Sequence, residues 1–265
     1  MSLRWLVSDS LALAGRNLSH VRQIPEKLLD VTLQPMMFVL LFAYVFGGVI
    51  AIPDGDYREY LLGGVIVQSL AFGIMGPATA IATDLGEGVV DRLRTLPMAR
   101  SAYLGGHILA ELAAFAIAIT ILSIGGLIVG WRIHSDLPHA LAGYGVILLF
   151  AFTMLWVGTW VGLMVRSPDA AQGVVFMLVF PMTFLASTFV PIGGLSPMLQ
   201  VLASWNPISS LAAAVRVLFG NPVGMPPDPA WPLQHPIATS LLWCLALLAI
   251  AIPLALRRFR IRTTQ

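Results

Sequence analysis

Two groups of residues in this 265-residue chain have types and spacing that could do chemistry. The first is His107 with Glu111, four residues apart and so on one face of a helix. They lie in the apolar stretch 104–130, where an ionisable side chain is costly. Such a pair can read a cationic group or move a proton. It can equally sit near the headgroups and hydrogen-bond to another helix, and the sequence leaves both readings open. The second group is DLGEGVVDRLRTLPMAR, residues 84–100, with six charges in 17 residues between two long apolar segments. Leu85, Val89, Leu93 and Leu96 fall on one helical face, Glu87, Asp91, Arg92 and Arg94 project elsewhere, and Pro97 marks an end. Charges of both signs suit docking into a protein groove better than binding anionic lipid.

Catalytic and metal chemistry have no foothold. The chain has no GxxxxGK[ST], HExxH or GxSxG pattern, so no catalytic residue and no metal site are expected. The single cysteine, Cys244, permits neither an intrachain disulfide nor a cysteine cluster. His20, His134, His139 and His235 are scattered through loops and read as surface residues rather than ligands. Any work the chain performs must therefore draw on a partner or an ion gradient.

The elements that position these residues are read from composition. The chain is 58% hydrophobic and 11% charged, with a mean hydropathy of +0.86. An ordinary soluble domain is about 25% charged. Six apolar blocks, 31–52, 58–82, 104–130, 139–165, 170–190 and 236–256, have the length of a helix crossing a bilayer. The expectation is an all-α integral membrane protein of one domain with six transmembrane helices.

Placing both termini and the 83–103 loop inside puts 12 basic residues on the inner side and only Arg58, Arg132 and Arg216 on the outer, out of 15. The positive-inside rule favours that orientation. Residues 1–30 are not a cleavable leader, since Arg4, Asp9, Arg16, Arg22, Glu26, Lys27 and Asp30 interrupt them. Leu3, Val7, Leu11, Ala14, Leu18 and Val21 instead form one stripe, predicting an amphipathic helix in the inner interface or packed on the protein's own surface, ending at Pro25.

Asn206 and Pro207 predict a helix start, with a helix over about 207–219. Residues 195–219 are expected to form one or two short helices dipping into the outer leaflet. Pro181 predicts a kink in the fifth block. The pairs Gly126/Gly130 and Gly158/Gly162 have the spacing of close helix contacts, a signal that arises easily by chance in a Gly-rich chain.

EGVVDRLRTLPMAR, residues 87–100, resembles the cytoplasmic loop of type-2 ABC transporter permeases, particularly the daunorubicin-resistance subfamily of drug exporters. WNPISSLAAAVRVLFG, residues 205–220, resembles that family's NP…R block, and RRFRIR, residues 257–262, its C-terminus. Gly86 beside Gly88 and the presence of Glu111 depart from the pattern.

The resemblance implies that 84–97 is a coupling helix seated in a separate ATPase subunit, with Glu87, Asp91, Arg92, Leu93, Arg94, Leu96 and Pro97 as its coupling residues. The 1–30 segment would be the connecting helix. Two permease copies, identical or not, would form the pathway in a bacterial plasma membrane. Drugs, lipids or glycolipids would be the amphiphilic substrate. ATP and Mg would be used by the ATPase, with no cofactor on this chain and no nucleic acid partner. Two other readings are a proton-driven secondary transporter using His107 and Glu111, for which paired repeats are missing, and a non-transporting membrane scaffold.

Overall fold

The computed structural model describes residues 25–50, 52, 55–88, 100–226 and 228–262. Ten α-helices run through them: α1 Pro25–Leu41, α2 Tyr57–Phe72, α3 Met75–Gly86, α4 Arg100–Val129, α5 Leu137–Met164, α6 Pro168–Phe184, α7 Pro197–Trp205, α8 Pro207–Phe219, α9 Trp231–Gln234 and α10 Pro236–Arg262. A π-helical turn, Phe42–Phe46, continues α1. Among the described residues no strand forms, only a bridge between Ile52 and Gly55.

Local chemistry explains where the helices start. Asp56, Asp136, Ser167 and Asn206 each accept a hydrogen bond from a backbone N–H in the first turn that follows, and Pro138, Pro168 and Pro207 stand at the first or second helical position. The His139 ring and then its backbone N–H hold the Asp136 carboxyl below the usual carboxylate range. α8 begins and ends where the sequence predicts. Gly220 closes it at φ +70°, with the Asn221 N–H donating to the Arg216 carbonyl at 2.8 Å.

Every apolar block holds a helix, but not every helix has full spanning length. Four do: Tyr57–Gly86, which joins α2 and α3, Leu104–Val129, Leu137–Met164 and Pro236–Ile261. α7 and α8 form a pair bent by 73°, a broken span or a re-entrant loop. By length and composition the described residues thus give four spans, or five with the bent pair, against the six expected.

The difference lies in two blocks. α1 opens with Glu26, Lys27 and Asp30, so its apolar part is Leu33–Phe46, about 21 Å by helical rise. Pro25 is the first residue of this helix. α6 stops at Phe184, not 190. Pro181 lies in its last turn, and the chain leaves the helix after Phe184, with residues 186–189 buried inside the bundle. The expected mid-span kink is therefore a helix end. The predicted helix over 3–21 lies outside the described residues.

α5 is the central column, with α3, α4, α8 and α10 packed around it. Glycine makes one of these contacts close. A Cβ on Gly158 would stand 2.4 Å from the Ile74 carbonyl oxygen, and one on Gly162 2.6 Å from that of Ala78. The Gly158/Gly162 pair seats α5 on the α2–α3 backbone, as its spacing allows. The other pair splits its roles. Gly126 packs on Leu62, while Gly130 turns the chain at φ +111°.

Candidate functional site

At one end of the bundle, α3 delivers the chain into the charged loop. Asp84, Leu85 and Gly86 are its last residues, Glu87 is an exposed C-cap, and Gly88 turns the backbone at φ +67°. Residues 84–86 thus extend the span, and the helical run stops at the two glycines. Asp91, Arg92, Leu93, Arg94, Leu96 and Pro97 lie outside the described residues. The anchoring of the loop is visible. Leu85 packs against a cluster formed by Ile81, Leu104, Leu163, Ala255 and Phe259, which joins the ends of α3, α5 and α10 to the start of α4. Arg257, Arg258 and Arg260 are exposed on the last turns of α10. Four helices therefore meet where the chain leaves α3.

His107 and Glu111 stand on α4, both half-buried. Their face meets the α2–α3 junction, not lipid alone. A Cβ on Gly76 would lie 3.7 Å from Glu111 Oε2, and one on Gly73 would lie 2.2 Å from Cζ of Phe115, one turn beyond Glu111. Glycine at 73 and 76 makes room for this side of α4. Among the described residues no group of His, Cys, Asp and Glu could hold a metal ion.

The opposite end contains a constellation that residue type and spacing had not singled out. Arg216 on α8 is fully buried. Its Nε donates to the Tyr60 carbonyl at 2.8 Å, and Nη2 donates to the carbonyls of Ser187 at 2.8 Å and Thr188 at 3.2 Å. Its Cζ lies 3.5 Å from the centre of the Tyr60 ring. A buried charge is tolerated only when its donors are met. Here neutral carbonyls just past the C-terminal end of α6, where the helix dipole is negative, and a π face do so. Among the described residues no carboxylate pairs with it.

Two tyrosines reinforce the join. The Tyr60 hydroxyl donates to the Ser187 carbonyl at 2.7 Å, and the Tyr57 hydroxyl to that of Phe189 at 3.0 Å. Further bonds hold the two ends of α8 and the loop after α4. Asn206 Nδ2 donates to the Met182 carbonyl at 2.7 Å, and the N–H groups of His134 and Ser135 donate to the Phe219 carbonyl at 2.9 and 3.3 Å. Trp131 Nε1 donates to Asn221 Oδ1 at 2.9 Å, and His134 Nε2 meets Glu59 Oε1 at 2.6 Å. The sequence signal that could have exposed Arg216 was a lone cation, with no acid near it, in a short apolar helix.

Residues 10–219 match the profile of the ABC-2 type transporter family. The chain belongs to that family. It is 28% identical over 254 residues to the daunorubicin resistance ABC transporter permease protein DrrB1 of Streptomyces coeruleorubidus, covering 96% of this chain and 87% of the relative. It is 22% identical over 232 residues to the doxorubicin resistance ABC transporter permease protein DrrB of Mycobacterium tuberculosis, covering 84% and 80%. A putative transport permease, ycf38, of Porphyra purpurea is 22% identical over 226 residues, covering 82% and 75%.

This ABC-2 permease carries a run of aromatic rings that passes from its apolar exterior on α6 into the core at Phe189. On α6, Phe176, Phe180 and Phe184 follow one another with centroids 4.8 and 4.5 Å apart. Phe189 links Phe184 at 6.3 Å to Phe42 at 4.4 Å, and Phe42 neighbours Phe38 on α1 and Phe46 in the π-helical turn. Beside it, Leu33, Gln34, Met37, Phe38 and Leu41 line an open groove. The aromatic rings of the two short apolar helices α1 and α6 are thus bridged by the buried Phe189.

Proposed function

We propose that this permease is the membrane-spanning subunit of an ATP-driven exporter, moving an amphiphilic substrate, a drug or a lipid, out of the cell. The observation that carries the reading is the ABC-2 match over residues 10–219, a range that includes the charged loop. The relatives named for daunorubicin and doxorubicin resistance point to drug-like amphiphiles. A separate ATPase subunit, using ATP and Mg, docks on loop 84–97 through Glu87, Asp91, Arg92 and Arg94. The aromatic rings of α1 and α6 suit both a second permease copy and an apolar substrate. Co-expression with an ABC ATPase and reconstitution in vesicles tests the reading. ATP-dependent movement of daunorubicin supports it, and substrate-stimulated ATP hydrolysis by the homogeneous permease alone contradicts it.

The chain is a multi-pass protein of the plasma membrane in this reading, with both termini and loop 84–100 in the cytoplasm. α1 and α6 complete six spans by local thinning of the bilayer and snorkelling of their flanking side chains, which costs only fractions of a kcal/mol per Å of mismatch. Reporter fusions after residues 100 and 265 are expected to be cytoplasmic, and one after residue 227 external. An external reporter at 100 would reverse the orientation.

Glu111 is assigned to the substrate pathway, with His107 one turn away. The warrant is its half-buried carboxylate against the α2–α3 junction. Glu111→Gln keeps the size and removes the charge. It is expected to fold and assemble normally and to lower export of cationic amphiphiles more than that of neutral ones. Equal export of both would leave Glu111 a helix-contact residue. Export driven by a proton gradient without any ATPase, and lost in this variant, would favour a secondary transporter instead.

A further inference from the structure

We propose that Arg216 is the positioning residue that carries movement of α2–α3 to the bent α7–α8 pair, making the outer half of α2, residues 187–188 and α8 one body; this rests on the exporter reading above. Three observations join. First, α2 and α3 form one 30-residue apolar run. Its junction is tight, with the Gly73 N–H donating to the carbonyls of Ser69 and Leu70 at 3.0 and 3.1 Å, and α5 lies directly on its backbone at Ile74 and Ala78. One end of that run enters the charged loop. A displacement there travels along a run whose break at Gly73 and Ile74 is hydrogen-bonded and packed on α5.

Second, the other end of the run is held by the guanidinium and not by apolar packing alone. Arg216 donates through Nε to the Tyr60 carbonyl of α2 and through Nη2 to the carbonyls of residues 187 and 188, while its Cζ lies over the Tyr60 ring. Third, α2 is thinned where it meets both partners. A Cβ on Gly63 would stand 3.2 Å from Arg216 Cγ, and one on Gly64 would stand 2.0 Å from the Thr188 oxygen. Three backbones therefore converge on one side chain. Only a planar cation with several fixed donors can hold them together. A lysine keeps the charge but offers a point donor without the fork or the stacking plane.

Arg216→Lys separates this role from folding. The variant keeps a cation among the same carbonyls, so it should insert, fold and assemble with the ATPase. In vesicles, the number of substrate molecules exported per ATP hydrolysed should fall about tenfold. In the purified permease, amide hydrogen exchange across 207–219 should quicken while exchange across 75–86 stays as in the wild type. A structural role alone would lower the yield of folded complex and leave the export-to-hydrolysis ratio of the surviving complexes unchanged; that result overturns the proposal. If the wild-type chain assembles with no ATPase, the exporter reading has failed, and the exchange measurement still judges the clamp. Unchanged exchange in 207–219 then overturns it as well.

Discussion

Gly64→Leu is expected to abolish folded protein, while Gly145→Leu leaves it unchanged. A Cβ at 64 would lie 2.0 Å from the Thr188 carbonyl oxygen and 2.7 Å from its carbon. These are backbone atoms, so no rotamer change relieves the clash. Residues 187–188 would have to withdraw from α2, taking with them two of the carbonyls that meet Arg216. Overpacking a core costs about 1–3 kcal/mol. Each hydrogen bond lost by a charged group adds about 1.5–3 kcal/mol. The sum is a large share of the roughly 5–15 kcal/mol that holds a typical protein folded.

Gly145 sits on the exposed face of α5 with nothing within 4 Å of a Cβ. The same substitution there adds an apolar side chain to an apolar surface. Size-exclusion profiles and thermal unfolding of the two variants in detergent compare them directly. Equal behaviour would mean that the 64–188 approach is not a constraint on this fold.

Reversing the charges at Glu87 and Arg92 together is expected to strip the ATPase from the membrane or to uncouple hydrolysis from export. A single exposed ion pair is worth only about 0–1 kcal/mol, so one reversal alone is a weak probe. A charge desolvated in a protein groove costs about 2–5 kcal/mol when its partner is left unpaired. Glu87 is exposed where α3 ends, clear of the apolar cluster beneath it, so its reversal should leave the bundle intact. Co-purification of the ATPase and an efflux assay on the double variant give the answer. Full assembly with full efflux would reduce the segment to a surface loop.

What could be read from the sequence was what local chemistry decides. Asn206 and Pro207 gave the start of α8 to the residue, because a cap and a first-turn proline act within a few positions. The Gly158/Gly162 spacing gave a real contact face, though nothing in the pattern named Ile74 and Ala78 as its partners. Arg216 was counted as an outer basic residue and stood in the NP…R block, but neither gave it a partner. Its partners are carbonyls 28, 29 and 156 positions away, and a carbonyl has no sequence signature. The early end of α6 follows from the same cause. Pro181 weakens the helix locally, but residues 185–190 also leave it for the tertiary bonds of Tyr57, Tyr60 and Arg216. His107 and Glu111 were visible as an anomaly of charge in an apolar block. The junction they face was not, because the break at Gly73 and Ile74 lies inside a continuous apolar run.

The measurement that bears most directly on the exporter reading is drug movement into inside-out vesicles containing the permease and a partner ATPase. With the cytoplasmic face outward, ATP and Mg added outside should drive daunorubicin into the lumen. A non-hydrolysable ATP analogue, or loss of the ATPase, should abolish uptake. Uptake that persists without the ATPase and follows an imposed proton gradient would contradict it.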